Sequence, residues 1–239
     1  MVKSTERKKV GILCAGDREA APVIAMLANA RKTSKAMLTF WEGTIENVTV
    51  ITLYSGVCKV NAAIAAQLLI DCYDCGMIIN TGTAGGISEE VHLFDTIVST
   101  EAVYHDVAEG ILTEFHPWME SVFFKAAPKL LSLAQQAAHH MPSGHRTLFG
   151  RMATGEAFVG EDRRQEILER FNPLCVDMET AAIAHVCYVN RVPFIAVRTI
   201  TDTADHSGAE DFENNCARAA GISAVFVRKM LERMGSDEV

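Results

Sequence analysis

Residues 77–86 read Met-Ile-Ile-Asn-Thr-Gly-Thr-Ala-Gly-Gly, an apolar run that passes directly into a glycine-rich turn. Met77 to Asn80 has the length and composition of a buried strand. TGTAGG then supplies backbone N–H groups and the Thr83 hydroxyl to something small, although a tight strand-to-helix turn fits the glycines equally well. The loop is not a Walker loop, because it lacks GK[ST], and its glycines do not fit GxGxxG. The same motif, a short apolar run followed by polar or glycine residues, recurs at Val10 to Ala15 before Gly16 and at Phe194 to Thr201 before Asp202.

Working outward, strand-like and helix-like segments alternate. Helices are expected over Glu19 to Ala30, Lys59 to Leu69, Ser121 to His140, Glu161 to Arg170, Met178 to Val189 and Asp211 to Met234. The last follows Ser207 and Glu210 at capping-box spacing. Met37 to Tyr54 reads as a hairpin turning at Glu46 and Asn47. Strands are expected at Asp95 to Tyr104, Thr147 to Thr154 and, briefly, Leu174 to Val176. Such alternation implies an α/β fold with a mainly parallel sheet covered on both faces. No linker, repeat or charge block divides the chain, so residues 1–239 read as a single domain with flexible tails at 1–7 and 235–239.

The chain has 239 residues, 22 Lys plus Arg against 30 Asp plus Glu, and a net charge of −8. A surplus of negative charge argues against nucleic acid and anionic membrane as partners. No stretch approaches the ~18 apolar residues of a membrane span, and no secretory leader is visible; a cytoplasmic location is expected. The seven cysteines include one CxxC, Cys72 and Cys75, without the further ligands a zinc site needs. They read as helix-end thiols, and neither a metal nor another cofactor is expected.

Four charged residues stand in apolar surroundings. Glu19, Glu179 and Asp202 each lie near a strand end or helix start, where a carboxylate is costly unless it is hydrogen-bonded, paired or protonated. Solvated first-turn acids are the plain alternative for any one of them. All three fall at the carboxyl ends of strands, where α/β sheets bind ligands. Arg198, mid-strand between Val197 and Thr199, needs an acidic partner, and Glu179 is the candidate. His105 reads as a structural hydrogen-bonding residue.

These residues carry a resemblance. VGILCAGDREA, SGVCKVNAAIA, IINTGTAGGI, FDTIVSTEAVYHDV, TGEAFVG, VDMETAAIAHVC and VPFIAVRTITDTAD occur in that order and span nearly the whole chain. The sequence resembles the nucleoside phosphorylase and nucleosidase superfamily, and within it the bacterial 5'-methylthioadenosine/S-adenosylhomocysteine nucleosidases. That resemblance implies a three-layer α/β/α sandwich with a central mixed, partly closed sheet, and a homodimer acting on a small adenine nucleoside. It implies that Glu19 activates water and that Asp202, beside Thr201, protonates the purine at N7. Met178 and Glu179 would hold the ribose, with Arg198 bracing Glu179 and Thr83 nearby. Phe158 would stack on the base, Val159 read its edge, and Val57 and Phe212 border the 5'-substituent.

The chemistry of N-glycoside cleavage suits those residue types. The purine leaves more readily once N7 is protonated, and a carboxyl in an apolar strand can carry that proton. A carboxyl at 202 can also accept from the 6-amino group of adenine, whereas an amide would suit a 6-oxo purine. Gly16, Asp17 and Arg18 revive a phosphorylase alternative, but phosphate usually needs several arginines or backbone donors converging, and no arginine lies between Met77 and Gly86. A non-catalytic binding protein on the same fold is the alternative of another class. Methylthioadenosine, S-adenosylhomocysteine, 5'-deoxyadenosine and 6-amino-6-deoxyfutalosine share the features these residues would read.

Overall fold

The computed structural model describes residues 9–116, 118–203 and 209–236. In chain order the elements are β1 (Lys9–Cys14), α1 (Asp17–Ala25), β2 (Ala28–Lys35), β3 (Leu38–Ile45), β4 (Val48–Tyr54), α2 (Lys59–Tyr73), β5 (Cys75–Gly86), β6 (Thr96–Tyr104), the single turn α3 (Ile111–Glu114), β7 (Phe124–Lys125), α4 (Pro128–Ala138), β8 (Thr147–Thr154), α5 (Glu161–Phe171), β9 (Cys175–Asp177), α6 (Thr180–Asn190), β10 (Phe194–Asp202) and α7 (Ala209–Ser236).

The strands form one mixed sheet in the order β10-β6-β8-β9-β5-β1-β4-β3-β2, with β7 on β6 and a further pairing of β10 with β5. That further pairing closes β5, β10, β6, β8 and β9 into a ring, from which β1, β4, β3 and β2 extend as a wing. The expected partly closed mixed sheet is therefore present. Alternation along β1 divides the core. Val10, Ile12 and Cys14 pack with Ala20 and Val23 of α1 and with Phe226, Val227 and Met230 of α7. Leu13 packs on the opposite face with Ala62, Ala66 and Leu69 of α2 and Ala181 and Ile183 of α6. These two helical layers and the sheet make the three-layer α/β/α sandwich. Among the described residues no helix is long and apolar enough to cross a membrane.

The largest departure from the sequence reading is at β5. TGTAGG is strand, not turn: β10 pairs with β5 from Ile78 through Gly85, and β9 joins at Gly85 and Gly86. On its other edge β1 stops at the Leu13–Asn80 pair. Between the end of β1 and the start of β9, residues 81–84 have no strand on that edge, and the carboxylate of Glu19 meets Thr83 there.

Other boundaries also move. The first helix ends at Ala25, and Ala28–Lys35 is a strand with every residue exposed. Ser121 to His140 divides into β7 and α4, with Pro128 starting the helix. Cys75 begins β5 rather than ending a helix. The hairpin at Glu46 and Asn47 is present, both residues having positive φ, as a tight two-residue turn requires. The capping-box reading of Ser207 and Glu210 falls outside the described residues.

Candidate active site

Glu19 is the third residue of α1, and its carboxylate reaches back over the helix start. Oε2 accepts from the N–H groups of Ala15 (2.9 Å) and Gly16 (3.0 Å). The second contact is the return bond of a glutamate at N3 to the N-cap amide. A capping role would end there, but Oε1 also accepts from the Thr83 N–H at 2.6 Å and the Thr83 hydroxyl at 2.8 Å. Glu19 thus ties the end of β1 to the unpaired edge of β5. Gly82 makes the approach possible, since a β-carbon there would stand 2.3 Å from Oε1.

Arg198 of β10 lies beneath, 1% exposed. One guanidinium nitrogen donates to the Thr83 carbonyl at 3.0 Å and lies 3.6 Å from Glu19. The other donates to Asn80 Oδ1 at 2.9 Å and lies 3.1 Å from Asp177 and 3.4 Å from Glu179. Burial opposes its charge, but the three carboxylates outweigh that and raise its pKa. The expected Arg198–Glu179 pair is present, yet Asp177 is the nearer acid. The side chain of Asp177 is 3% exposed. It accepts from the Thr154 hydroxyl at 2.6 Å, from the Thr180 hydroxyl, and from the N–H groups of Glu179 and Thr180 at the start of α6. Sequence reasoning missed Asp177, although it follows the Leu174 to Val176 strand by the rule that selected the other acids.

Glu179 is buried at the N-terminus of α6. Its Oε1 accepts from the Cys58 N–H at 2.9 Å, and Oε2 meets Arg198. Burial, with the neighbouring Asp177 charge, pushes its carboxyl up to about 7 against the pull of Arg198. Cys58 presents that N–H from a backbone at φ 82°, a conformation that disfavours side chains.

Asp202 ends β10. The register slips between Ile200 and Asp202, making Thr201 a bulge, a feature that re-aims side chains near sites. The Thr201 hydroxyl donates to Asp202 at 2.7 Å, and the carboxylate lies close over Gly85. Gly82 beneath Glu19 and Gly85 beneath Asp202 are three residues apart on β5, about 10 Å. The two acids therefore stand over β5 positions three residues apart.

The remaining expected residues are exposed or partly buried. Phe158 is 68% exposed and meets Phe212 of α7 edge-on, with ring centroids 6.1 Å apart. Val159 follows it, partly buried. Val57 is 57% exposed in the loop before α2, and Met178 is partly buried between Asp177 and Glu179. His105 departs from the reading as a hydrogen-bonding residue. It is buried, neither ring nitrogen has a hydrogen-bond partner, and the ring fills the space beside Gly155, where a β-carbon would stand 2.3 Å away.

A family model described as the phosphorylase superfamily matches residues 9–232. A 5'-methylthioadenosine/S-adenosylhomocysteine nucleosidase from Colwellia psychrerythraea, in complex with adenine, is 30% identical over 95% of each chain, with a TM-score of 0.87. An S-adenosylhomocysteine nucleosidase from Streptococcus pyogenes, in complex with 5'-methylthiotubercidin, is 29% identical over 97% of this chain and 99% of that one, with a TM-score of 0.87. Futalosine hydrolase of Helicobacter pylori is 25% identical over 95% and 98%, with a TM-score of 0.86.

Proposed function

The chain belongs to the phosphorylase superfamily, and from that premise we propose that it hydrolyses the N-glycosidic bond of a 5'-substituted adenine nucleoside, 5'-methylthioadenosine or S-adenosylhomocysteine, releasing adenine and the substituted ribose. The observation that carries this reading is the Glu19 carboxylate on Thr83 in the unpaired stretch of β5 and the Asp202 carboxylate over Gly85 just beyond it, with Glu179 between a backbone N–H and Arg198. In the proposed reaction Glu179 accepts hydrogen bonds from the ribose hydroxyls, beside Met178. Asp202, held by Thr201, gives its proton to N7, and the C1'–N9 electron pair departs with the neutral purine. Glu19 takes a proton from water as the water oxygen bonds to C1'. Phe158 stacks on the base, the Val159 backbone reads its edge, and Val57 and Phe212 border the 5'-group. Gly16 leaves open space where a side chain would stand, which suits substituents larger than methyl.

Phosphorolysis is the competing reading, and the geometry disfavours it. The N–H groups of Ala15, Gly16 and Thr83 are the natural donors for an anion. Here they are taken by the protein's own carboxylate, and the Arg18 guanidinium pairs with Glu213. Phosphate would have to displace or face Glu19. The deciding experiment is adenine release from methylthioadenosine, followed by absorbance with and without phosphate. Release that phosphate does not accelerate is expected. Release that requires phosphate would make the protein a phosphorylase, and no release would favour a binding protein.

We also propose a homodimer. Val60 and Ile64 of α2 and Tyr188 and Val189 of α6 are exposed on neighbouring helices. The Tyr188 hydroxyl donates to the Trp118 carbonyl, which joins exposed Trp118 to the same face. An apolar surface of this kind marks an interaction site.

A further inference from the structure

We propose that Asp177 is a positioning residue for the ribose site: by holding the nearest place on Arg198 it leaves Glu179 only partly paired, so that Glu179 keeps a proton in the free protein and releases it when a nucleoside binds. The inference rests on the reading of Glu179 as the ribose ligand. Its basis is geometric. Arg198 is the one cation within 4 Å of Glu19, Asp177 and Glu179 among the described residues. The guanidinium nitrogen shared by two of these acids also serves Asn80 at 2.9 Å and the Thr180 hydroxyl at 3.3 Å, so Glu179 at 3.4 Å takes the longest of its contacts. Asp177 is fixed there by the Thr154 hydroxyl and two helix-start amides. One positive charge cannot neutralise three buried negative ones; Glu19, 3.6 Å from it, is compensated by the Ala15, Gly16 and Thr83 N–H groups and the Thr83 hydroxyl, whereas Glu179 accepts only the Cys58 N–H besides Arg198 and is the acid left to protonate.

The groups facing Glu179 come from each packed element. They are Arg198 on β10, Asp177 at the end of β9, Glu19 on α1, and the Cys58 N–H and thiol at the start of α2, with Glu156 beyond the thiol. Ribose hydroxyls donating to Glu179 favour its ionised form, so binding expels the proton.

The test is titration calorimetry with 5'-methylthiotubercidin in buffers of different ionisation enthalpy, between pH 5.5 and 8. Position 7 of that probe is carbon, so the purine end takes no proton there. Wild-type protein is expected to release protons on binding, with a midpoint near neutrality. Asp177→Asn should shift that midpoint down by about one pH unit or more, and Asp177→Glu should return it toward wild type. A purely structural Asp177 would change affinity or melting temperature and leave the proton count alone. Unchanged proton release in folded Asp177→Asn would overturn the proposal. Should that variant not fold, wild-type binding without proton release overturns it equally. Failure of the probe to bind, together with no adenine release from methylthioadenosine, would instead remove the nucleosidase reading and the inference with it.

Discussion

At the scale of single residues, the acids assigned to chemistry make separable predictions. Glu19→Gln keeps the shape but cannot accept a proton from water. It should lower kcat by roughly 10²–10⁴-fold while 5'-methylthiotubercidin still binds; a variant retaining more than about a tenth of wild-type turnover would remove Glu19 as the base. Asp202→Asn cannot protonate N7 and sets an amide donor against the 6-amino donor. It should cost roughly 10²–10⁴ in kcat on methylthioadenosine, with inosine-type analogues suffering less. Near wild-type turnover by the folded variant would exclude it as the acid.

Glu179 makes a prediction about stability. Its carboxyl titrates near 4.5 when unperturbed and about 7 in the folded chain. Between those values the folded state holds more protons than the unfolded state, so stability falls as pH rises through that window. Glu179→Gln removes this dependence. Its melting temperature should exceed wild type at pH 8, with a gain that shrinks toward pH 5; an equal difference at both pH values would contradict the assignment.

These side chains were legible because a charge in an apolar run demands a partner. The identity of the partner was less legible. The need for an acid beside Arg198 is satisfied on paper by one carboxylate, and nothing along the chain says that three converge, so Asp177 went unnoticed. His105 shows the opposite failure, since a polar residue between polar neighbours gave no sign that its ring would be buried without partners.

At the scale of elements, legibility followed burial. β1, β10 and the β3–β4 hairpin are apolar or alternating and were plain. β2, sequence ANARKTSK, buries nothing, and its turn at Ala36 and Met37 takes positive φ without glycine or asparagine. The pattern that announces a strand is therefore missing. The glycines of β5 misled in the other direction, because they read as a turn when they thin a strand so that carboxylates can approach it. Gly82→Ala tests this. The added methyl meets the Glu19 carboxylate and should displace it, costing about 10²-fold or more in kcat, the effect of misplacing a reacting group by an ångström. Circular dichroism should show the sheet intact; wild-type kcat would mean that Glu19 does not depend on close contact with β5.

At the scale of the whole molecule, the exposed face on α2 and α6 predicts association. Sedimentation should give twice the 26.1 kDa chain mass, and Ile64→Asp, which places a charge in that face, should shift the protein toward monomer. A wild-type monomer at micromolar concentration would contradict the dimer.

The closed ring has a different consequence. Strands that close on one another leave no edge to be extended, so the long open edge of this sheet is β2, at the tip of the wing and away from the pocket. Arg31, Lys32 and Lys35 lie along it, exposed. Charge on an open edge keeps strands of other chains from adding to it. Resistance to aggregation is thus concentrated in a few basic side chains that have no part in the proposed chemistry. Replacing them with β-branched apolar residues would leave turnover untouched while making the folded protein a template for intermolecular sheet growth.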